Sequence, residues 1–189
     1  MKKNPILITT IGLVLLPSGV VNATNSQTSI KVMVGNKTLE SNWGKNNSMH
    51  TFAVLSTFQP AALPFGIAFD LHGNSYENKV AGKTTESAIG EMNIGLRYQP
   101  QITSNVFTSY LGSGVSFVAV ELEEINSGTK TTHDGTGTGY WVGGGIDFHF
   151  YSQWSMGLDA RYSSVDVELS GEKRDAGGFG WGATLGYHF

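Results

Sequence analysis

The sequence predicts an all-β fold, an eight-stranded antiparallel up-and-down barrel that crosses a membrane with its strands. Three observations predict it. The last thirteen residues, Gly177 to Phe189, put an aromatic or aliphatic side chain at every second position (Phe179, Trp181, Ala183, Leu185, Tyr187, Phe189), with Gly, Thr or His between them. Side chains alternate across a strand, so one face suits hydrocarbon and the other is small and polar. Seven further segments repeat this pattern, and the connections between them alternate between short and long. No apolar run approaches the ~18 residues of a spanning helix, so a membrane passage must rest on strands.

Each segment is read by its outward set. The first, near Thr28 to Thr38, offers Ile30, Val32 and Val34; the second, near Met49 to Gln59, offers Phe52, Val54 and Phe58. The third starts at Pro64 with Phe65, Ile67, Phe69 and Leu71, and the fourth, Glu86 to Gln99, gives Ala88, Met92, Ile94, Leu96 and Tyr98. In the fifth, Val106 to Glu121, both parities carry bulk. Phe107, Leu111, Val115 and Phe117 are placed outward because Gly112, Gly114 and Ser116 then line the interior. The sixth, Gly139 to Phe150, turns out Tyr140, Val142, Ile146, Phe148 and Phe150. The seventh shows Trp154, Met156, Leu158, Ala160 and Tyr162, after which the apolar parity flips to Val165, Val167 and Leu169, as a bulge near Ser163 and Ser164 would produce. The eighth is the closing strand.

The connections Gln59 to Pro64, Gln99 to Asn105 and Tyr151 to Gln153 are short, whereas Leu39 to Ser48, Glu77 to Thr85, Leu122 to Gly137 and Ser170 to Ala176 are longer and polar. Short periplasmic turns and long external loops are the layout of an outer-membrane barrel, and an even strand number leaves both termini in the periplasm. Phe65, Tyr98, Phe107, Phe148, Phe150, Tyr151, Trp154, Tyr187 and Phe189 gather near the periplasmic rim, where an aromatic girdle is expected.

Met1 to Ala23 reads as a secretory leader: Lys2 and Lys3, an apolar run from Ile6 to Leu16, then Val21-Asn22-Ala23 as a cleavage site. Residues 24–189 then form one barrel domain of 166 residues with ten basic and fifteen acidic side chains, a net charge of −5 with His neutral. That balance disfavours nucleic acid. The absence of Cys from an exported chain excludes a disulfide-stapled fold and thiol chemistry.

Leu185-Gly186-Tyr187-His188-Phe189, Tyr110-Leu111-Gly112-Ser113-Gly114-Val115, Trp141-Val142-Gly143-Gly144-Gly145-Ile146-Asp147-Phe148 and Gly157-Leu158-Asp159-Ala160-Arg161-Tyr162 resemble the small eight-stranded outer-membrane proteins of Gram-negative bacteria, the OmpA-like or porin-family barrels. The likeness covers the whole chain after the leader. It implies that Phe189, Tyr187 and Leu185 act as the recognition signal for the outer-membrane assembly machinery. With no linker or second domain after Phe189, a peptidoglycan-binding module of the kind some larger relatives carry is not expected. Members range from anchors to adhesins to narrow channels, so the resemblance speaks to architecture and not to activity.

With these outward faces, Lys31, Asp70, Glu91, Arg97, Asp147, Asp159 and Arg161 point into the lumen. An eight-stranded barrel is just wide enough for side chains to fill, and an unpaired ion there costs several kcal/mol. An interior network is expected, with Arg161 near Asp147 and Asp159, Arg97 near Glu91, and Gly143, Gly145 and Gly157 making room. The competing reading is a narrow ion path lined by the same charges.

Catalytic and metal-binding arrangements are weak. His133 and Asp134 lie side by side in the longest connection, but adjacent residues on a strand point apart, so they are not a base and its orienter. His149, His188 and Asp147 share inward parity without a metal-ligand spacing, and His72 and His50 are placed in the lumen near the outer rim. The resulting expectation is a non-enzymatic outer-membrane barrel without metal or cofactor. It would contact outer-membrane lipid and lipopolysaccharide, and bind an unidentified extracellular partner through four external loops. A porin-like channel, a lipid-modifying enzyme and a soluble exported barrel are its rivals.

Overall fold

The computed structural model describes residues 26–40, 47–61, 63–80, 83–99, 106–126, 129–169 and 171–189, the side chains of 78–80, 83, 84, 124, 126 and 129 excepted. The expected leader, Met1 to Ala23, lies outside the described residues. The described residues form nine strands: β1 (Gln27–Leu39), β2 (Ser48–Gln59), β3 (Phe65–Val80), β4 (Lys83–Tyr98), β5 (Phe107–Asn126), β6 (Thr129–His149), β7 (Trp154–Leu169), β8 (Glu172–Asp175) and β9 (Gly178–His188). Every pairing is antiparallel, consecutive from β1 to β7, then β7 to β9 and β9 back to β1, which closes the barrel. The four-residue β8 pairs with the top of β7, and its Asp166↔Asp175 register runs on into the Ser163↔Gly178 register of β9. β8 and β9 are therefore two parts of one eighth strand, interrupted at Ala176 and Gly177, and the hairpin turn before them uses Gly171 at φ 84°, which suits glycine.

Alternation dictates which face each residue occupies. Val32, Val54, Ile67, Ile94, Leu96, Leu111, Val142, Ile146, Leu158, Trp181 and Leu185 are exposed on the outer wall, and register partners such as Ile67↔Leu96 and Leu158↔Ala183 make the band continuous. The fifth strand follows the same parity: Phe107, Leu111, Val115 and Phe117 are outward, while Tyr110 and Ser116 are buried inside. At the end that carries Phe189 and the short turns, aromatic side chains stack between neighbouring strands. Phe65 meets Tyr98 at 5.8 Å, Phe107 meets Phe148 at 5.3 Å, and Trp154 meets Tyr187 at 5.1 Å between ring centroids.

Three expectations are corrected. First, β7 has no bulge at Ser163 and Ser164: its registers with β6 and β9 pass through without an extra residue. Val165, Val167 and Leu169 keep the inward parity of Asp159 and Arg161 and are 1%, 0% and 5% exposed. What changes along the strand is the surroundings. Beyond Tyr162 the outer wall turns polar, with Asp166 and Glu168 exposed, and the interior turns apolar, as in a water-soluble barrel. Secondly, Glu77 to Thr85 and Leu122 to Gly137 are mostly strand. β3 pairs with β4 up to Val80↔Lys83 and β5 with β6 up to Asn126↔Thr129, so these connections are extended hairpins. Thirdly, His50 shares the outward parity of Phe52 and is exposed.

Candidate functional site

The lumen is layered. At the end bearing the short turns, the His149 and His188 rings pack at 4.7 Å. Each is held by a hydroxyl, Thr108 Oγ1 at 3.0 Å from His149 Nε2 and Ser155 Oγ at 2.8 Å from His188 Nε2. Asp147, nearby, accepts a hydrogen bond from the Lys31 ammonium. Among the described residues no three His, Asp or Glu side chains are arranged to hold a metal ion.

The middle layer is cationic around aromatic rings. Lys31 Nζ sits 4.7 Å and the Arg97 guanidinium 4.5 Å from the Tyr110 ring centroid, and the Arg161 guanidinium lies 4.7 Å from that of Trp141. Cations attract the negative faces of aromatic rings, more strongly where water is excluded. Asp70, with no exposed surface, is shared: its Oδ2 accepts from Arg97 Nη2 at 2.9 Å and from Arg161 Nη2 at 2.6 Å. Arg97 Nη1 also donates to Thr57 Oγ1 at 2.5 Å, and Arg161 Nη1 lies 2.5 Å from His72 Nε2. His72 is buried inside, as its parity requires.

Above this layer Lys37 Nζ donates to Glu91 Oε2 at 2.7 Å, to Ser163 Oγ at 3.1 Å and to the Ala176 carbonyl at 3.2 Å. Glu91 Oε1 accepts from Asn93 at 2.9 Å and from Ser116 at 3.2 Å. Asp159 is buried, and its Oδ2 has no hydrogen-bond partner among the described residues. Leu39, Met49, Ile89, Val118, Val120, Val165, Val167, Leu169 and Ala176 then form one buried apolar cluster, with Tyr76 packed against it. These side chains come from β1, β2, β4, β5 and β7, with Ala176 between β8 and β9, and pack together in the interior.

The seven charged residues read into the lumen are all buried there, but the pairings differ from those expected. Arg97 binds Asp70 and not Glu91; Arg161 binds Asp70 and not Asp147 or Asp159. The reason is geometric: in a narrow barrel a long side chain reaches across the axis as readily as to its strand neighbour, so β7 meets β3. Sequence reasoning missed Lys37, Tyr110 and Trp141. A signal for the two rings was present in the inward glycines beside them. A Cβ on Gly145 would lie 2.6 Å from the Tyr110 ring, and one on Gly112 would lie 3.0 Å from that of Trp141. Gly157 clears Asp147, whose Oδ1 would be 2.6 Å from an added Cβ, and Gly143 allows close approach to the Ala160 carbonyl at 3.0 Å.

At the opposite end β3 to β6 rise above their neighbours. Pairing of β2 with β3 reaches Ser75, and pairing of β7 with β6 begins at Gly137, whereas β4 and β5 stay paired as far as Lys83↔Asn126. The rising sheet carries Glu77, Glu86, Glu121, Glu123 and Asp134. Lys130 Nζ donates to Glu123 Oε1 at 2.6 Å, and this carboxylate holds the lysine above its ordinary pKa. His133 and Asp134 lie on opposite faces of β6, opposite Leu122 and Glu121.

Comparison with known proteins agrees with this geometry. The model of the outer membrane protein beta-barrel domain matches residues 9–189. No curated relative matches by sequence. Among solved structures, a major outer membrane protein from Thermus thermophilus superposes with a TM-score of 0.62 at 10% identity, over 88% of this chain and 100% of that one. Ail, the attachment invasion locus protein of Yersinia pestis, gives 0.59 at 13%, over 88% and 100%. The N-terminal β-barrel domain of Pseudomonas aeruginosa OprF gives 0.52 at 12%, over 87% and 100%. These are likenesses of fold. A closed eight-stranded wall, an apolar outer band and a family match over nearly the whole length place the protein in the bacterial outer membrane, and the chain belongs to the family of outer membrane protein beta-barrel domains.

Proposed function

We propose that the protein is a non-enzymatic surface-binding barrel, with its lumen plugged and the projecting sheet of β3 to β6 as its contact element. The observation that carries this reading is the height of that sheet. β5 and β6 stay paired from Phe107↔Phe148 to Asn126↔Thr129, far beyond the outward apolar band. Short turns and Phe189 lie at one end and the hairpins at the other, so both termini are periplasmic and the hairpins extracellular in this reading. The outer band meets lipid and lipopolysaccharide, and Leu185, Tyr187 and Phe189 present the terminal signal to the assembly machinery. Ail, a structural neighbour at 13% identity, is described as an attachment invasion locus protein, which is consistent with an adhesive role here.

The test has two parts. The protein confers adhesion on displaying cells in a screen of immobilised candidate ligands, and replacing residues 120–135 with a two-residue Asn-Gly turn abolishes that adhesion while the barrel still inserts. Retained adhesion in the trimmed protein overturns the assignment of the sheet. In planar bilayers the intact protein gives no discrete conductance, because the Asp70 and Glu91 clusters and the nine-residue apolar cluster fill the path. Reproducible openings would favour the channel instead.

A further inference from the structure

The inward glycine at position 180 differs from its neighbours. An added Cβ at inward Gly114, Gly139, Gly157 or Gly182 would lie 2.6 Å or less from a backbone oxygen of the adjacent strand, so close packing of the wall requires glycine there. At Gly180 the nearest atoms would be the Asn36 carbonyl oxygen at 3.7 Å and the Lys37 side chain at 3.8 Å and 3.9 Å, which are ordinary contacts. Strand packing therefore does not explain the missing side chain. Gly180 instead lines an interior cavity of about 20 Å³, shared with Lys37, Glu91, Asp159, Arg161 and Ser163. One water needs roughly 10–15 Å³ of such space, so the cavity has room for a single molecule.

Two polar atoms on these residues want a partner. Asp159 and Arg161 are 3% and 6% exposed, and Asp159 Oδ2 and Arg161 Nε have no hydrogen-bond partner among the described residues. One accepts and the other donates. They stand two residues apart on the inward face of β7, with Cα atoms about 6.6 Å apart, a span that one water bridges with a bond to each side. The remaining donors are committed. Lys37 Nζ gives its three hydrogens to Glu91, Ser163 and the Ala176 carbonyl, and the other two nitrogens of Arg161 engage His72 and Asp70. Thr51, also on the cavity wall, gives its hydroxyl hydrogen to Asn74 Oδ1 at 2.7 Å and keeps lone pairs that can accept. Two cations, Lys37 and Arg161, face two anions, Glu91 and Asp159. A balanced wall of this kind selects a neutral polar occupant over an ion of either sign.

We propose that the cavity binds one structural water, which donates to Asp159 Oδ2 and Thr51 Oγ1 and accepts from Arg161 Nε. Buried waters characteristically make about three bonds of this kind to groups that would otherwise stay unpaired. The molecule ties Asp159, which no direct bond holds, to the Asp70 cluster through Arg161. The site goes beyond the adhesive reading and does not depend on it.

The test combines water-selective NMR on the protein folded in deuterated detergent micelles with a high-resolution crystal structure. The wild type gives cross-relaxation from long-lived water to the Arg161 Nε proton and the Gly180 amide, and electron density for one water within about 3.2 Å of both Asp159 Oδ2 and Arg161 Nε. Gly180→Ala, whose methyl group occupies part of the cavity, lowers the cross-peaks at least five-fold and keeps the compact, heat-modifiable gel band. Crystals soaked in rubidium bromide show no anomalous peak at the site. A direct bond between Asp159 and Arg161, no density in the cavity, an ion in place of the water, or cross-peaks unchanged in the alanine variant each overturn the proposal. The first three are read from the wild type, so they decide the matter even where the variant fails to fold.

Discussion

Asp70 and Asp159 face the same lumen and stand in opposite positions electrostatically. Asp70 balances two guanidiniums at 2.9 Å and 2.6 Å, so its removal strands two buried cations. Asp159 Oδ2 has no hydrogen-bond partner among the described residues, and Arg161, Arg97 and Lys31 attract its charge without an ion pair to it being formed there, so neutralising it with an isosteric amide costs less than removing Asp70. Asp70→Ala is expected to lower the unfolding free energy in detergent by about 3–5 kcal/mol, the usual cost of breaking a buried ion pair. Asp159→Asn should change it by less than about 1 kcal/mol, and urea titrations followed by tryptophan fluorescence compare the two. Glycines divide in the same manner. Gly114→Ala drives a Cβ into the Ile94 carbonyl and should abolish the compact, heat-modifiable band on a detergent gel, while Gly90→Ala meets nothing closer than 3.9 Å and should leave it intact. That the seven charged residues from Lys31 to Arg161 face inward is legible from parity, because period-2 alternation is local, whereas the inward Val165, Val167 and Leu169 and the outward His50 are not. Which ions pair is not legible, because the Arg161 partner lies on β3 and is fixed by the diameter and tilt of the closed barrel. Lys37 is hidden for a related reason, since it sits beyond the clear apolar alternation of β1, where outward Ile30, Val32 and Val34 give way to Asn36.

On the scale of a strand, β7 shows what a hydrophobic pattern does and does not encode. The alternation of its side chains is unbroken from Trp154 to Leu169, yet the apolar set changes parity midway. A reading that assumes one kind of surroundings along the whole strand must insert a bulge. The continuous register instead means that Trp154 to Tyr162 answers to hydrocarbon outside and Val165 to Leu169 to water outside. Labelling distinguishes the two. Val167→Cys should resist a membrane-impermeant maleimide in folded protein, and Glu168→Cys should react readily; the bulge predicts the opposite. Leu169→Ala, deleting a side chain from the apolar cluster, is expected to cost about 2–5 kcal/mol. The hairpins were less legible than the wall. Leu122 to Gly137 is rich in Thr, Gly and charge, a composition shared by loops and by strands whose outer face is solvated, so only the pairing of β5 with β4 and β6 identifies it as sheet.

For the whole molecule, closure is the property from which the rest follows. Because β9 pairs with β1 from Ser29↔His188 to Leu39↔Gly178, the wall has no free edge through the apolar band, and backbone groups there are satisfied without water. The terminal residue takes part, since the Phe189 amide donates to the Thr28 carbonyl at 2.9 Å and its ring packs on Tyr187 at 4.8 Å. Deleting Phe189 should therefore slow assembly and lower the yield of heat-modifiable barrel in outer-membrane fractions, with a smaller effect on the stability of the barrels that do form. Fold class was legible because the same alternation recurs eight times. The partner was not, because nothing in a solvated hairpin's composition names what it touches.

The inversion on β7 also gives the protein a depth gauge. Eight residue steps from Trp154 to Tyr162, at ~3.3 Å each and tilted by ~40°, span about 20 Å of hydrocarbon. Aromatic rings mark the lower limit, and the start of carboxylates outside, with valines inside, marks the upper. Sinking by four residues would bring Asp166 to the edge of the hydrocarbon, and rising by two would lift the ring pairs out of their interface. Such a barrel is matched to a thin membrane, and thickening the bilayer with longer-chain lipids should slow its insertion before it alters its shape.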